Sequence, residues 1–347
     1  MTVYISALSL LFFLSLISLD THFNHIRHCR SVVGILAGIF VVAFVGPRNN
    51  IGGDWPSYSA MVRLFHWSTL LQVYAFHPIE PSYVALILFS NTVGGGLYLV
   101  NTLAAAISIF CFLWYSRLMS LNPTYVLFLA APYLLFVAAM DYGRQIIAIS
   151  IGFVALAYLS KGNKRAFYWL VWFAASFHFS ALVLFSFTRF KRPLYAALLL
   201  AAGAVGLFII HMKYETYLKG NSHFNSKGVW LRLAILLIGI LLFYIQKHYW
   251  LQSRTTYDVM KRCTLVIALL LLISPHFSTI ADRLGLYFMF LYITCAASIF
   301  KASSHASQPL GLSFTSILSY GTLIVWFGFS PAARLWMPYN NFLFGKF

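Results

Sequence analysis

The stretch "GRQIIAISIGFVALAYLSKGNKRAFYWLVWFAASFHFSALVLF", Gly143 to Phe185, decides the fold. After Arg144 its first half, to residue 160, is apolar and uncharged. A run of about 17–25 such residues crosses a bilayer as a helix. The basic cluster "KGNKR" (161–165) follows, and a second cluster, "TRFKR" (188–192), comes 22 residues later. Those 22 residues are long enough for one crossing, yet both flanks are basic. Lys and Arg mark cytoplasmic loops. A re-entrant pair of half-helices with "SFHFS" at its tip satisfies both flanks. The competing reading is one crossing, with "TRFKR" as a basic loop on the outer side. Irregular backbone at membrane depth is tolerated only where protein or a water-filled cavity covers it. The hairpin therefore predicts a cavity with His178 near its tip.

The rest of the chain reads the same way. It is 61% hydrophobic, only 9% charged, and has a mean hydropathy of +0.80. A globular domain carries about 25% charged residues, so too little polar surface exists here for a water-soluble particle. Apolar runs fall at 2–19, 31–46, 97–116, 123–140, 144–160, 194–212, 229–245, 263–281, 284–300 and 309–328, with irregular stretches at 81–93 and 167–187. The expected fold is an all-α polytopic membrane protein. It has about 10–12 transmembrane helices, one or two of them broken or re-entrant, in a single domain over 1–347. "MTVYISALSLLFFLSLISLD" lacks a basic n-region and a clear cleavage site, and reads as a retained first span.

The net charge of +17 does not point to nucleic acid, because the basic residues lie in short clusters between apolar runs. "HFNHIRHCR" (22–30), "KGNKR", "TRFKR" and "QKHYWLQSRTTYDVMKR" (246–262) are the strongest. Placing them in the cytoplasm puts 47–79 outside as a large loop. The loop 213–228, Asp282-Arg283 and the C-terminal tail are then outside as well. It also requires 81–93 to dip in without crossing. The four cysteines form no CxxC, so a zinc site is not indicated. No P-loop, GxSxG or DxD metal pair is present.

The polar residues beside the apolar runs are few. "VGPRNNIGGDWPSY" (45–58) holds Arg48, Asp54 and Tyr58; "FHPIEPSY" holds Glu80; "AAMDYGRQ" holds Asp141, Arg144 and Gln145. "TIADRLGLYF" holds Asp282 and Arg283, and "RLWMPYNN" (334–341) holds Tyr339. Each alone has a structural reading: a snorkelling arginine, a local ion pair, a buried histidine, or an aspartate favoured by a helix dipole. Together they weigh more, because ionisable groups are expensive in lipid. Three arginines are expected on the outer face, where the positive-inside rule predicts few. Guanidinium groups grip phosphate oxygens bidentately and stay charged, so a phosphate or diphosphate is the natural ligand.

The same segments resemble the EpsG-like membrane proteins, Wzy-type polymerases of bacterial surface polysaccharides. Arg48 followed by "IGGDWPSY" looks like that family's "R…vGtDy..Y". "GRQ…SFHFSAL" looks like its "RQ…fH.Sal", "DRLGLYF" like "R…YF", and "WMPYNNF" like "PY.n". The similarity runs from about residue 45 to 345. "IGGDW" departs from it, with glycine before the Asp and tryptophan after.

The resemblance implies a GT-C-like architecture and a cofactor-free, metal-independent glycosyl transfer. The growing glycan moves from undecaprenyl diphosphate onto the next lipid-linked repeat unit. This takes place at the periplasmic face of the inner membrane, in lipopolysaccharide or related surface-polysaccharide synthesis. Arg48, Arg144 and Arg283 are then expected on the diphosphate. His178 is the first-choice base, with Asp54 or Glu80 as orienting groups or alternative bases. Tyr58, Gln145, Asp282 and Tyr339 are expected to line the glycan. Membrane lipid and a chain-length regulator protein are the implied partners. The alternatives are an O-antigen ligase-like transferase, and a transporter or flippase of lipid-linked sugars. No inverted repeat of the kind transporters carry is visible.

Overall fold

The computed structural model describes residues 1–19, 27–76, 79–187, 228–302 and 308–346. The helices are α1 (Thr2–Leu19), α2 (Arg27–Val45), α3 (Trp55–Leu64), α4 (Leu70–Phe76), α5 (Pro81–Thr92) and α6 (Gly96–Leu118). They continue with α7 (Pro123–Asp141), α8 (Gly143–Ser160), α9 (Lys164–Ala175), α10 (Val229–Ile245), α11 (Lys247–Leu251), α12 (Arg254–Ile273), α13 (Ser278–Ala297), α14 (Ile299–Ala302) and α15 (Gln308–Phe329). Among the described residues, α1, α6, α7, α8, α13 and α15 are long and apolar enough to cross a membrane, and 30–45 and α10 are shorter apolar helices. The chain is an all-α polytopic membrane protein, as its composition requires. The expected span 194–212 and the loops 188–192 and 213–227 lie outside the described residues.

The two ends of the bundle differ in charge. At one end Asn122 donates to Ser18 O (2.9 Å), Thr255 to Ser160 O (2.8 Å), and Lys301 to Ser120 O. Arg117, Lys161, Lys164, Arg165, Lys247 and Arg254 belong to the elements that meet there. At the opposite end are the turns after α2 and α7, the starts of α5, α8 and α13, and the C-terminal tail. Four of the seven acids in the chain, Asp54, Glu80, Asp141 and Asp282, lie at this second end.

Two expected spans are displaced. The runs 263–281 and 284–300 form helices at Arg254–Ile273 and Ser278–Ala297. The break falls at 274–277, because Pro275 cannot continue a helix and restrains the residue before it. The basic loop 246–262 is consequently helical for most of its length, and Asp282-Arg283 sits within α13, not in a loop. The stretch 81–93 forms α5, whose 12 residues rise about 18 Å, short of a crossing. Residues 164–187 form the hairpin: α9 packs along α8, turns at 176–178, and returns as a 3₁₀ helix, Phe179–Phe187.

α7 carries the main irregularity. Pro123 occupies its first turn and the Asn122 side chain caps it by accepting from Tyr125 N (3.1 Å). From Ala131 to Ala138 the helix widens into a π-helix containing Pro132. Such stretches recur at functional sites. The tail packs on it: Trp336 Nε1 donates to Phe136 O (2.8 Å). The tail then pairs with the loop after α2, through Asn49 N to Asn340 O (2.9 Å) and Phe342 N to Pro47 O (2.8 Å).

Candidate functional site

The site is built where α7 breaks. Tyr142 leaves helical geometry (φ −103°, ψ 60°), ending α7 at Asp141 and starting α8 at Gly143. Asp141 therefore closes one helix and Arg144 opens the next. The helix macrodipole favours the reverse placement of both charges. Residues set against their local preference are what functional sites show.

Arg144 is half-buried. Its Nη1 donates to Glu80 Oε2 at 2.8 Å, and its guanidinium carbon stands 5.9 Å and 6.0 Å from the ring centres of Tyr58 and Tyr83. Its Nε is buried with no hydrogen-bond partner. Glu80 is the N-cap of α5 yet makes no capping bond; the carboxylate is turned to Arg144 instead. Tyr58 is buried, and its hydroxyl accepts from Arg144 N at 3.4 Å.

Arg283 projects from the second turn of α13. Its guanidinium lies 3.6 Å over the Tyr142 ring, and Nη1 donates to Gln145 Oε1 at 3.2 Å. Gln145 Nε2 donates back to Arg283 O at 2.9 Å. Among the described residues Arg283 makes no ion pair. Asp54 and His178 are also partly exposed, at the edge of an otherwise buried cluster. The charges of Arg144 and Arg283 act on both of them. Ser82 ties the hairpin turn to α5, its N donating to Ser176 O at 3.0 Å. That bond brings His178 beside Glu80.

Sequence reasoning thus named residues that the fold gathers: Asp54, Tyr58, Glu80, Arg144, Gln145, His178 and Arg283. Three others that it named are buried beside this cluster, with their polar groups occupied by the protein. Arg48 is 2% exposed. Its donors go to Met140 O (3.0 Å), Val45 O (3.0 Å) and Asn101 Oδ1 (3.1 Å). Asp282 is buried in an ion pair with Arg232 (2.5 Å), whose Nε donates to Tyr133 OH in the π-helix. Tyr339 is buried, stacks on Phe44, and donates to Phe44 O (2.8 Å).

Missed by sequence reasoning were Arg232, hidden in an apolar run, Tyr83, three residues after Glu80, and Tyr142, between Asp141 and Arg144. Asp141 has no role in that reading. Its Oδ1 accepts from Asp54 N at 2.9 Å. Among the described residues no group of three or more His, Cys, Asp or Glu side chains is placed to hold a metal ion.

Gly52 lets the Asp54 loop reach Asp141. Its φ is +97°, and a Cβ there would stand 2.3 Å from Met140 O and 3.2 Å from Asp141 Cα. Backbone cannot yield as a flexible side chain can. Gly52→Ala should therefore cost about 2 kcal/mol or more, from left-handed strain plus the clash. It should appear as a lower unfolding temperature of the detergent-solubilised protein; an unchanged value would show that the loop has another seat.

An all-α bundle with a polar, arginine-lined cluster at one end defines a polytopic membrane protein with a candidate site at that end. The chain belongs to the EpsG family, whose model matches residues 31–341. That membership makes it a polysaccharide-polymerase-like, glycosyltransferase-type membrane protein. No curated protein and no solved structure matches the chain.

Proposed function

We propose that the chain polymerises a bacterial surface polysaccharide. The growing glycan is transferred from undecaprenyl diphosphate to a hydroxyl of the next lipid-linked repeat unit. The observation that carries this reading is the pair Arg144 and Arg283. Both are partly exposed. Arg144 keeps a buried, unpartnered Nε, and Arg283 makes no ion pair among the described residues. Preorganised guanidinium groups in a water-poor site stabilise the charge that develops on a leaving diphosphate, without needing a metal. Arg48 serves the scaffold in this reading, and Asp282 and Tyr339 support the walls.

The site lies at the end opposite the basic loops, which the positive-inside rule places in the cytoplasm. It therefore faces the periplasm from the inner membrane. A chain-length regulator protein is the partner such a polymerase calls for. Deletion of the gene should leave a single repeat unit on the final acceptor, and expression of the wild-type chain should restore the ladder on a polysaccharide gel. A deletion strain that keeps its ladder, or that traps lipid-linked units on the inner leaflet, would overturn the reading.

A further inference from the structure

Three acids and one histidine surround the arginine pair, and their hydrogen bonds separate their roles. Glu80 is committed to Arg144. Asp141 Oδ1 is committed to Asp54 N. His178 Nδ1 accepts the backbone N–H of Ser180 at 3.3 Å, with Ser180 Oγ at 2.6 Å. A backbone N–H only donates, so Nδ1 carries the lone pair and the proton of the neutral ring sits on Nε2. Ser180 Oγ lies 2.9 Å from Tyr287 OH, so donation runs from Tyr287 to Ser180 to Nδ1. The free nitrogen of His178 is then an N–H, which gives a hydrogen bond and takes no proton.

Asp54 is different. It occupies the N-cap of α3, where an aspartate ordinarily accepts from the first backbone N–H groups. It makes no such bond. Among the described residues its carboxylate has no hydrogen bond or ion pair, while its own backbone N–H is held by Asp141.

We infer, building on the polymerase reading, that Asp54 is the general base for the acceptor hydroxyl and that His178 donates from Nε2 to a substrate oxygen. Asp141 is a positioning residue that holds Asp54 and raises its proton affinity. In the step, the acceptor hydroxyl gives its proton to the Asp54 carboxylate as its oxygen bonds to the anomeric carbon. The bond from that carbon to the diphosphate oxygen breaks, and its electron pair stays on the diphosphate, held by Arg144 and Arg283. Asp54 later loses the proton to water.

The surroundings suit this role. Burial and the Asp141 charge push the Asp54 carboxyl up to about 6, against the pull of Arg283 and Arg144. The groups facing it are Asp141 at the end of α7, Arg144 on α8, Arg283 on α13 and Tyr58 on its own helix. A base with that affinity is charged above about pH 6 and protonated below it, so activity should fall as pH drops through that value.

The test uses membranes from the deletion strain carrying the full chain, with that strain's own lipid-linked repeat units as substrate. Polymer formed is measured against pH, and protein level by blotting. Asp54→Asn should lose about 100-fold or more at a normal protein level, because the side chain supports no structural bond. Asp141→Asn still accepts from Asp54 N but loses the charge; it should lower the rate at neutral pH several-fold, because the base is weaker, and move the acid limb down by about one unit. A limb that stays put would remove Asp141 from the role. His178→Gln retains an amide N–H near Nε2 and should keep measurable polymer. A dead His178→Gln beside an active Asp54→Asn would return the base to the histidine. Wild-type membranes that form no polymer would overturn the polymerase reading and the base with it, a result distinct from either variant.

Discussion

Arg144→Ala should yield no polymer ladder in a deletion strain, although the protein should accumulate in the membrane at the wild-type level. Arg144 opens α8 in the first turn and contacts the protein mainly through Glu80 and two tyrosine rings. Its removal leaves no buried backbone group without a partner, and the stranded, buried Glu80 carboxyl can neutralise by taking up a proton, so the fold should survive. What is lost is a preorganised cation at the leaving group, for which a factor of about 10²–10³ in rate is typical.

Arg144→Lys separates charge from geometry. Lysine keeps the positive charge but loses the planar fork, and its ammonium cannot reach Glu80 and a phosphate in the same two-point way. It should recover part of the ladder as shorter chains. Glu80→Gln keeps a hydrogen-bond acceptor for Arg144 and removes the competing charge; its ladder should be weaker, not absent. Gel ladders from the three variants, read beside blots of membrane protein, settle the matter. A full ladder from Arg144→Ala would sink the arginine site.

The sequence revealed the fold class because lipid imposes a strong rule: an apolar run of sufficient length is a helix or nothing. It offers the hairpin at 164–187 as one of two readings, because two basic flanks cannot both be cytoplasmic around one crossing; the other, a single crossing to an outer basic loop, is equally open. It misplaces the break between α12 and α13, where the charged pair Asp282-Arg283 resembles a boundary and Pro275 makes one. The site was legible in part for a related reason. With so few acids, each one near an apolar run stood out, and Asp54, Glu80, Arg144, His178 and Arg283 were all found by rarity. Rarity does not say which way a side chain turns. Arg48 and Arg144 look alike in sequence, each at the edge of an apolar run and near an acid. Only the fold shows one guanidinium filled by carbonyls and the other left with a spare donor. Arg232 escaped notice because its partners, Asp282 and Tyr133, are 50 and 99 residues away.

The contrast between the two arginines gives the second large effect. Arg48→Ala should deplete the protein from the membrane, where Arg144→Ala does not. Arg48 joins three elements: the end of α2 through Val45 O, α6 through Asn101, and the α7 break through Met140 O. Its backbone also bridges to Asn341, so the tail is anchored on the same residue. Truncation strands three buried acceptors, at about 1–3 kcal/mol each before any relaxation, and opens a cavity beneath the tail. Arg48→Lys supplies one ammonium for three separated oxygens and should be only partly better. Both variants should show a lower unfolding temperature in detergent and faster proteolysis of the C-terminal tail. A well-accumulated, thermally unchanged Arg48→Ala protein that has lost only polymer would reverse the assignment and put Arg48 back on the diphosphate. Because the tail, α6 and the Met140 carbonyl next to Asp141 all meet at this residue, loss of Arg48 would also loosen the seat of Asp54, so activity alone cannot distinguish the two arginines. Abundance and melting can, and they should separate a residue that holds the site together from one that holds the substrate.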